Sequence, residues 1–152
     1  VAPSSVHAYI VGEHGDTEFP LWSGATIGTV PILDWESEGH PRMTVDELNA
    51  IAVDVRDAAY TVIKGKGATN YAIGLSSARI VEAVLQDQHA VLPVSTVLSD
   101  YHGVDGVALS VPSVVSASGA VPIPNTPFSE HELDLLARSA GALSGVIDSL
   151  RA

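Results

Sequence analysis

His14 stands between two glycines and beside two carboxylates in Gly12-Glu13-His14-Gly15-Asp16. An imidazole titrates near neutral pH, so it can take a proton from a reacting group and return it at little cost. Gly12 and Gly15 carry no Cβ, which lets backbone and ligand come close on either side. A lone loop histidine also has a plainer reading, as a solvated side chain with no task. A metal site built from His7, His14 and Asp16 is a third possibility. Two histidines seven residues apart, on a strand and the loop after it, match no strong ligand pattern.

Other residues invite chemistry less. His7 alternates with apolar neighbours and reads as a surface or interface histidine. Gly65-Lys66-Gly67-Ala68-Thr69 has glycines and a lysine, but not the G-x-x-x-x-G-K-[ST] spacing of a phosphate loop, and no strand precedes it. It reads instead as the end of one helix and the start of the next, with Thr69 as N-cap. A hydroxyl at such a helix start could also face a ligand. Trp22 and Trp35 are expected to pack in the core or at an interface. His40, His89, His102 and His131 fall in loops or at helix starts, with nothing nearby to recruit them.

The elements around these residues can be read from their spacing. Residues 6–11, Val-His-Ala-Tyr-Ile-Val, predict a strand that stops at Gly12 and delivers His14 to its end. Residues 21–30 predict extended chain, and 31–41, punctuated by Pro and Gly, a loop. Thr44 with Glu47 forms a capping box, behind which Leu48, Ile51, Ala52, Val55, Ala59, Val62 and Ile63 keep helical spacing. Gly65 and Gly67 are expected to stop that helix. A second helix over residues 70–87 is apolar on most sides, which predicts burial between layers. Residues 90–124 turn to β character, with runs at 91–98, 107–111 and 120–123 and turns at Gly103, Gly106 and Gly119. Ser129 and Glu132 repeat the capping box. Leu133, Leu136, Ala140, Leu143, Ile147 and Leu150 then draw one apolar stripe to the C-terminus. This order predicts an α+β domain with an antiparallel or mixed sheet packed with helices. No strand-to-helix turn carries G-x-G-x-x-G, so no dinucleotide-binding unit is expected within the chain.

Composition narrows the classes further. At 152 residues the chain suits one domain spanning residues 1–152, and 46% hydrophobic residues set it apart from disordered sequences. Seven basic against eighteen acidic residues give a formal charge of −11, which disfavours nucleic acid and anionic membranes as partners. The absence of cysteine excludes disulfides, thiol catalysis and thiolate metal sites. No apolar run approaches the roughly 18 residues of a membrane span. The opening residues have neither the basic nor the apolar region of a signal peptide. A cytoplasmic protein is expected. The chain starts at Val1 rather than a methionine, so an excised or processed part of something longer is expected too.

Longer stretches carry a resemblance. Val6-His7-Ala8-Tyr9-Ile10-Val11-Gly12-Glu13-His14-Gly15-Asp16, followed by Pro20-Leu21-Trp22-Ser23, is similar to the second half of bacterial L-lactate dehydrogenases. So are Val55-Arg56-Asp57-Ala58-Ala59-Tyr60, Lys66-Gly67-Ala68-Thr69-Asn70-Tyr71-Ala72-Ile73-Gly74 and Leu92-Pro93-Val94-Ser95. The matches are ordered and cover essentially the whole chain. They imply the C-terminal, substrate-binding domain of an enzyme that interconverts (S)-lactate and pyruvate with NAD in glycolysis and pyruvate fermentation.

By matching position, the resemblance makes His14 the proton donor and acceptor at the substrate oxygen. Thr69 would help shape the pocket around the substrate methyl, and Ile73 would pack against the nicotinamide. His7 matches a histidine that helps bind the allosteric activator fructose 1,6-bisphosphate at a subunit interface, which implies a homotetramer. Tyr60 matches a tyrosine phosphorylated in related enzymes. The nucleotide loop, the mobile lid, the carboxylate-binding arginine and the aspartate that orients the histidine all precede this region in the family. Neither Glu13 nor Asp16 matches that aspartate. Malate dehydrogenase of the same superfamily is the nearest alternative, and a non-catalytic oligomerisation domain is an alternative of another class. Thr69 within Gly67-Ala68-Thr69-Asn70-Tyr71 favours lactate.

Overall fold

In the computed structural model, residues 1–151 are described. The chain begins with short pieces. β1 (Val6–His7) pairs antiparallel with β4 (Thr26–Ile27), which pairs in turn with β5 (Val30–Pro31). β2 (Ile10–Val11) pairs with β3 (Phe19–Pro20) in a separate ribbon. The continuous strand expected over residues 6–11 is therefore divided at Ala8 and Tyr9. Its partner explains the break: after β3 the facing chain leaves extended geometry for a 3-10 turn at Trp22–Gly24, so pairing cannot run straight through. The same turn corrects the expectation of extended chain across 21–30.

Two helices follow. α1 (Val45–Lys66) starts at the predicted capping box: Thr44 Oγ1 accepts from the Glu47 N–H at 3.2 Å, and Glu47 Oε2 accepts from the Thr44 N–H at 2.7 Å. The Thr44 N–H and the Thr44 hydroxyl, both donating to Glu47 Oε2, hold that carboxyl below its ordinary value. The helix runs through Gly65 and stops at Gly67, whose φ of +84° is the left-handed cap only glycine adopts without strain. α2 (Asn70–Leu85) begins after Thr69, as expected.

Its burial is not as expected. Ala83 is fully buried, but Ile73, Leu75, Val81 and Leu85 are 57%, 75%, 53% and 80% exposed. One side of α2 meets the sheet, and among the described residues its outer face is left exposed. All-round apolarity here marks a helix with an unpartnered face. α1 shares this character, with Leu48 its one buried residue.

The main sheet is a meander of three antiparallel strands, β6 (Ala90–Val97), β7 (Ala108–Ser116) and β8 (Gly119–Pro122), in the order β6-β7-β8. β6 runs through Pro93, which it accommodates as an edge strand, and β7 reaches five residues beyond the predicted 107–111. Between β6 and β7, His102 and Gly103 take positive φ of 51° and 81°, the primed-turn geometry of a tight hairpin tip. α3 (Glu130–Arg151) closes the chain.

The core lies between β7 and α3. Val11, Phe19, Leu98, Leu109, Val111 and Leu136 are all buried there, with Ala140, Leu143 and Ile147 of the predicted stripe packed against them. A second, smaller cluster of Ala25, Ile32 and Leu48 carries Trp22 on its flank, as predicted for that indole. β2 ends inside the larger cluster at Val11, and the next residues are the histidine loop.

Candidate active site

Gly12 is the point where the loop is fixed to the sheet. Its N–H donates to the Ser110 carbonyl at 2.8 Å and its carbonyl accepts from the Ser110 N–H at 2.9 Å, a bridge onto β7. Its φ of +94° turns the chain out of β2. A Cβ here would lie 2.9 Å from Ser139 Oγ and 3.4 Å from the Phe19 ring. The glycine thus answers to α3 and β3 packing closely against the backbone.

Beyond it the loop is braced from within. Glu13 Oε1 accepts from the Thr17 N–H at 3.3 Å, so this carboxylate is turned back into its own loop. His14 is turned to solvent, with its side chain 95% exposed. Its Nδ1 lies 3.4 Å from Glu18 Oε2, a long and therefore weak contact. The Glu18 side chain is only 16% exposed, so it forms a confined carboxylate beside a solvated imidazole.

His14 and Glu18 stand at the wall of a cleft of about 750 Å³. β2 supplies Ile10 and Val11; α1 adds Val55, Arg56 and Ala59; α2 adds Ile80 and Val84; and the sheet closes the far side with residues such as Val94, Ser95 and Val115. The lining is mostly apolar, and its polar groups are an imidazole, a guanidinium, carboxylates and two serines. Such a cavity suits a small organic ligand that is held by shape and oriented by few polar atoms. The Arg56 guanidinium donates to Asp57 Oδ1 at 3.0 Å, and that carboxylate, helped by Asp16 and Glu18, strengthens its hold on its proton.

The other expected site residues lie elsewhere. His7 is exposed on β1, in register with Thr26 and in a different sheet from the ribbon that leads to His14. Thr69 is partly buried between α1 and α2 and makes no side-chain capping bond. Ile73 is exposed on α2, and neither it nor Thr69 lines the cleft. Tyr60 is 68% exposed on α1. Sequence reasoning misses Glu18, Arg56 and Ser139. Ser139 has a readable signal: it sits three residues after Leu136 and four before Leu143, on the apolar stripe. Glu18 and Arg56 have none, because loop conformation and the approach of α1 bring them in.

A nicotinamide dinucleotide does not fit the residues present. Every strand pair described is antiparallel, and no described strand feeds a helix through a glycine-rich turn whose N–H groups could hold a pyrophosphate.

Fold and site define an α+β domain that presents an exposed imidazole at an apolar cleft, with every described sheet antiparallel. The chain belongs to the lactate/malate dehydrogenase family, since residues 1–152 match the model of that family's alpha/beta C-terminal domain. It is 50% identical over 140 residues to an L-lactate dehydrogenase of Bifidobacterium animalis subsp. lactis (strain AD011), covering 91% of this chain and 44% of that protein. An L-lactate dehydrogenase of Oceanobacillus iheyensis is 44% identical over 150 residues, covering 97% of this chain and 46% of its own length. Among solved structures, the minor L-lactate dehydrogenase from Enterococcus mundtii in its ligands-bound form superposes with a TM-score of 0.90 at 40% identity, over 98% of this chain and 47% of that one. The chain spans about half the length of the curated relatives it matches. Among the described residues, no helix is long and apolar enough to cross a membrane.

Proposed function

We propose that this chain is the C-terminal, substrate-binding domain, residues 1–152, of an NAD-dependent L-lactate dehydrogenase that interconverts (S)-lactate and pyruvate in the cytoplasm. The observation that carries this is the placement of His14. Its imidazole is free on a loop anchored to β7 and stands at the wall of an apolar cleft with few polar groups to orient a ligand.

His14 accepts the hydroxyl proton when lactate is oxidised and returns it to the carbonyl oxygen when pyruvate is reduced. NAD, which supplies hydride transfer when bound, is held by parts of the intact enzyme outside these residues. Ile73, exposed on α2, would by its matching position add only an apolar contact to the nicotinamide ring. Thr69, whose hydroxyl is not committed to capping α2, is assigned to the substrate by its matching position in the family alone, since it does not line the cleft at His14. His7 is assigned to a subunit interface of a homotetramer, where fructose 1,6-bisphosphate would bind as activator. Its exposed imidazole on β1 supports that reading.

Kinetics of the full-length enzyme test the substrate. A higher kcat/KM for pyruvate than for oxaloacetate is expected, and the reverse order would move the protein to malate. The present chain alone should oxidise no NADH with pyruvate, because it lacks a dinucleotide site; appreciable turnover would overturn the division of labour described here.

A further inference from the structure

Ser139 is the one polar side chain of α3 that is fully buried against the back of the histidine loop, at 0% exposure. Its Oγ accepts from the Glu13 N–H at 2.7 Å, the residue immediately before His14. The same Oγ lies 3.1 Å from Thr17 Oγ1, on the other side of the histidine. A hydroxyl offers one donor and two acceptor positions, so a single oxygen can bridge both flanks of the loop. Thr17 closes the circuit, because its N–H donates to Glu13 Oε1 at 3.3 Å.

The packing is matched to this contact. Gly12 leaves the space that Ser139 occupies, and any Cβ at that position would press on Oγ at 2.9 Å. The loop is thus clamped from two directions, by the Ser110 bridge on β7 and by Ser139 on α3. His14 makes no strong bond of its own, so the backbone clamp is what fixes the origin of its side chain.

We infer that Ser139 is a positioning residue for His14, holding residues 13–17 so that the imidazole meets the substrate oxygen at a reproducible distance and angle. This rests on the proton-transfer reading of His14, since positioning matters to rate only if that imidazole reacts. Small misplacements of a reacting group cost large factors in rate, and the hydroxyl acts on geometry without touching substrate.

Two variants and two readouts test it. Ser139→Cys keeps nearly the same volume with a much weaker hydrogen-bonding atom, and Ser139→Ala removes that atom altogether. In the chain itself, amide hydrogen exchange at Glu13 should accelerate by about tenfold or more in both variants while β6–β8 exchange is unchanged. In the full-length dehydrogenase, both should lower kcat by about 10- to 100-fold with KM for pyruvate changed by about twofold or less. The primary deuterium isotope effect on kcat should rise, as chemistry becomes the slow step. Unchanged exchange at Glu13 would remove the clamp. Faster exchange with kcat and isotope effect unchanged would leave a structural bond with no part in positioning. Full activity in Ser139→Cys would reduce the contact to packing. Failure of the His14 reading looks different: His14 variants would keep turnover while the exchange result stood.

Discussion

His14 has little to hold it but its own backbone. Its ring is almost wholly solvated, its nearest carboxylate is at 3.4 Å, and order enters through Gly12 and Ser139. Gly12→Ala should therefore act through the packing of the loop, although Gly12 also lines the cleft. It places a Cβ against a buried hydroxyl at positive φ, and a loss of about 1–3 kcal/mol in urea denaturation is expected. His7→Ala in the full-length enzyme should weaken activation by fructose 1,6-bisphosphate while leaving kcat at saturating activator unchanged. An unaltered activation curve would return His7 to a simple surface histidine. At this scale the pentapeptide says loop but leaves His14 open between proton transfer, a solvated side chain and a metal ligand, and only the longer resemblance singles it out. Of the residues so expected, His14 alone lines the cleft. What Gly12 is for is not legible, since its neighbour Ser139 lies 127 residues away along the chain. Glu18 and Arg56 are hidden because only the folded loop and the approach of α1 bring them to the cleft.

Among the elements, α3 is anchored at its start by Glu132. Glu132 is 5% exposed. Its Oε2 accepts from the Ser129 N–H at 2.7 Å and from Ser129 Oγ at 3.0 Å, and its Oε1 from the Ser23 N–H at 3.0 Å. Burial pushes this carboxyl up, but the bonds from Ser23 and Ser129 outweigh it and hold it below its ordinary value. A carboxyl with a lowered folded-state pKa stabilises the fold above its unfolded value and loses that contribution as pH falls through the folded one. Glu132→Gln should therefore be less stable than the parent at pH 7, by about 1–3 kcal/mol. The gap should close as pH drops through about 4 and below, read by denaturation at each pH. A gap independent of pH would mean that the charge contributes nothing. Both capping boxes are legible in the sequence alone, because the bonds they make are local. Burial of α2 is not. Apolar residues on most sides say that a helix is covered, but not by which chain, and here its outer face is bare.

For the molecule as a whole, stability should be uneven. The sheet and α3 share the main core, while α1 and α2 each bury a single residue completely. Amides of α1 and α2 should exchange faster than those of β6–β8 in this chain, and equal protection would show that the helices are held more firmly than their packing implies. Val55 and Ala59 of α1 and Ile80 and Val84 of α2 line the cleft, where the proposed full-length enzyme would complete its site. The proposed task of His14 is to carry the proton in that assembled site. Steady-state reduction of pyruvate by the full-length enzyme and its His14→Asn variant tests this most directly. A loss in kcat on the order of 10²–10⁴ is expected, the usual contribution of general acid–base catalysis. A variant within about tenfold of the parent, below that range, would contradict the proton-transfer role.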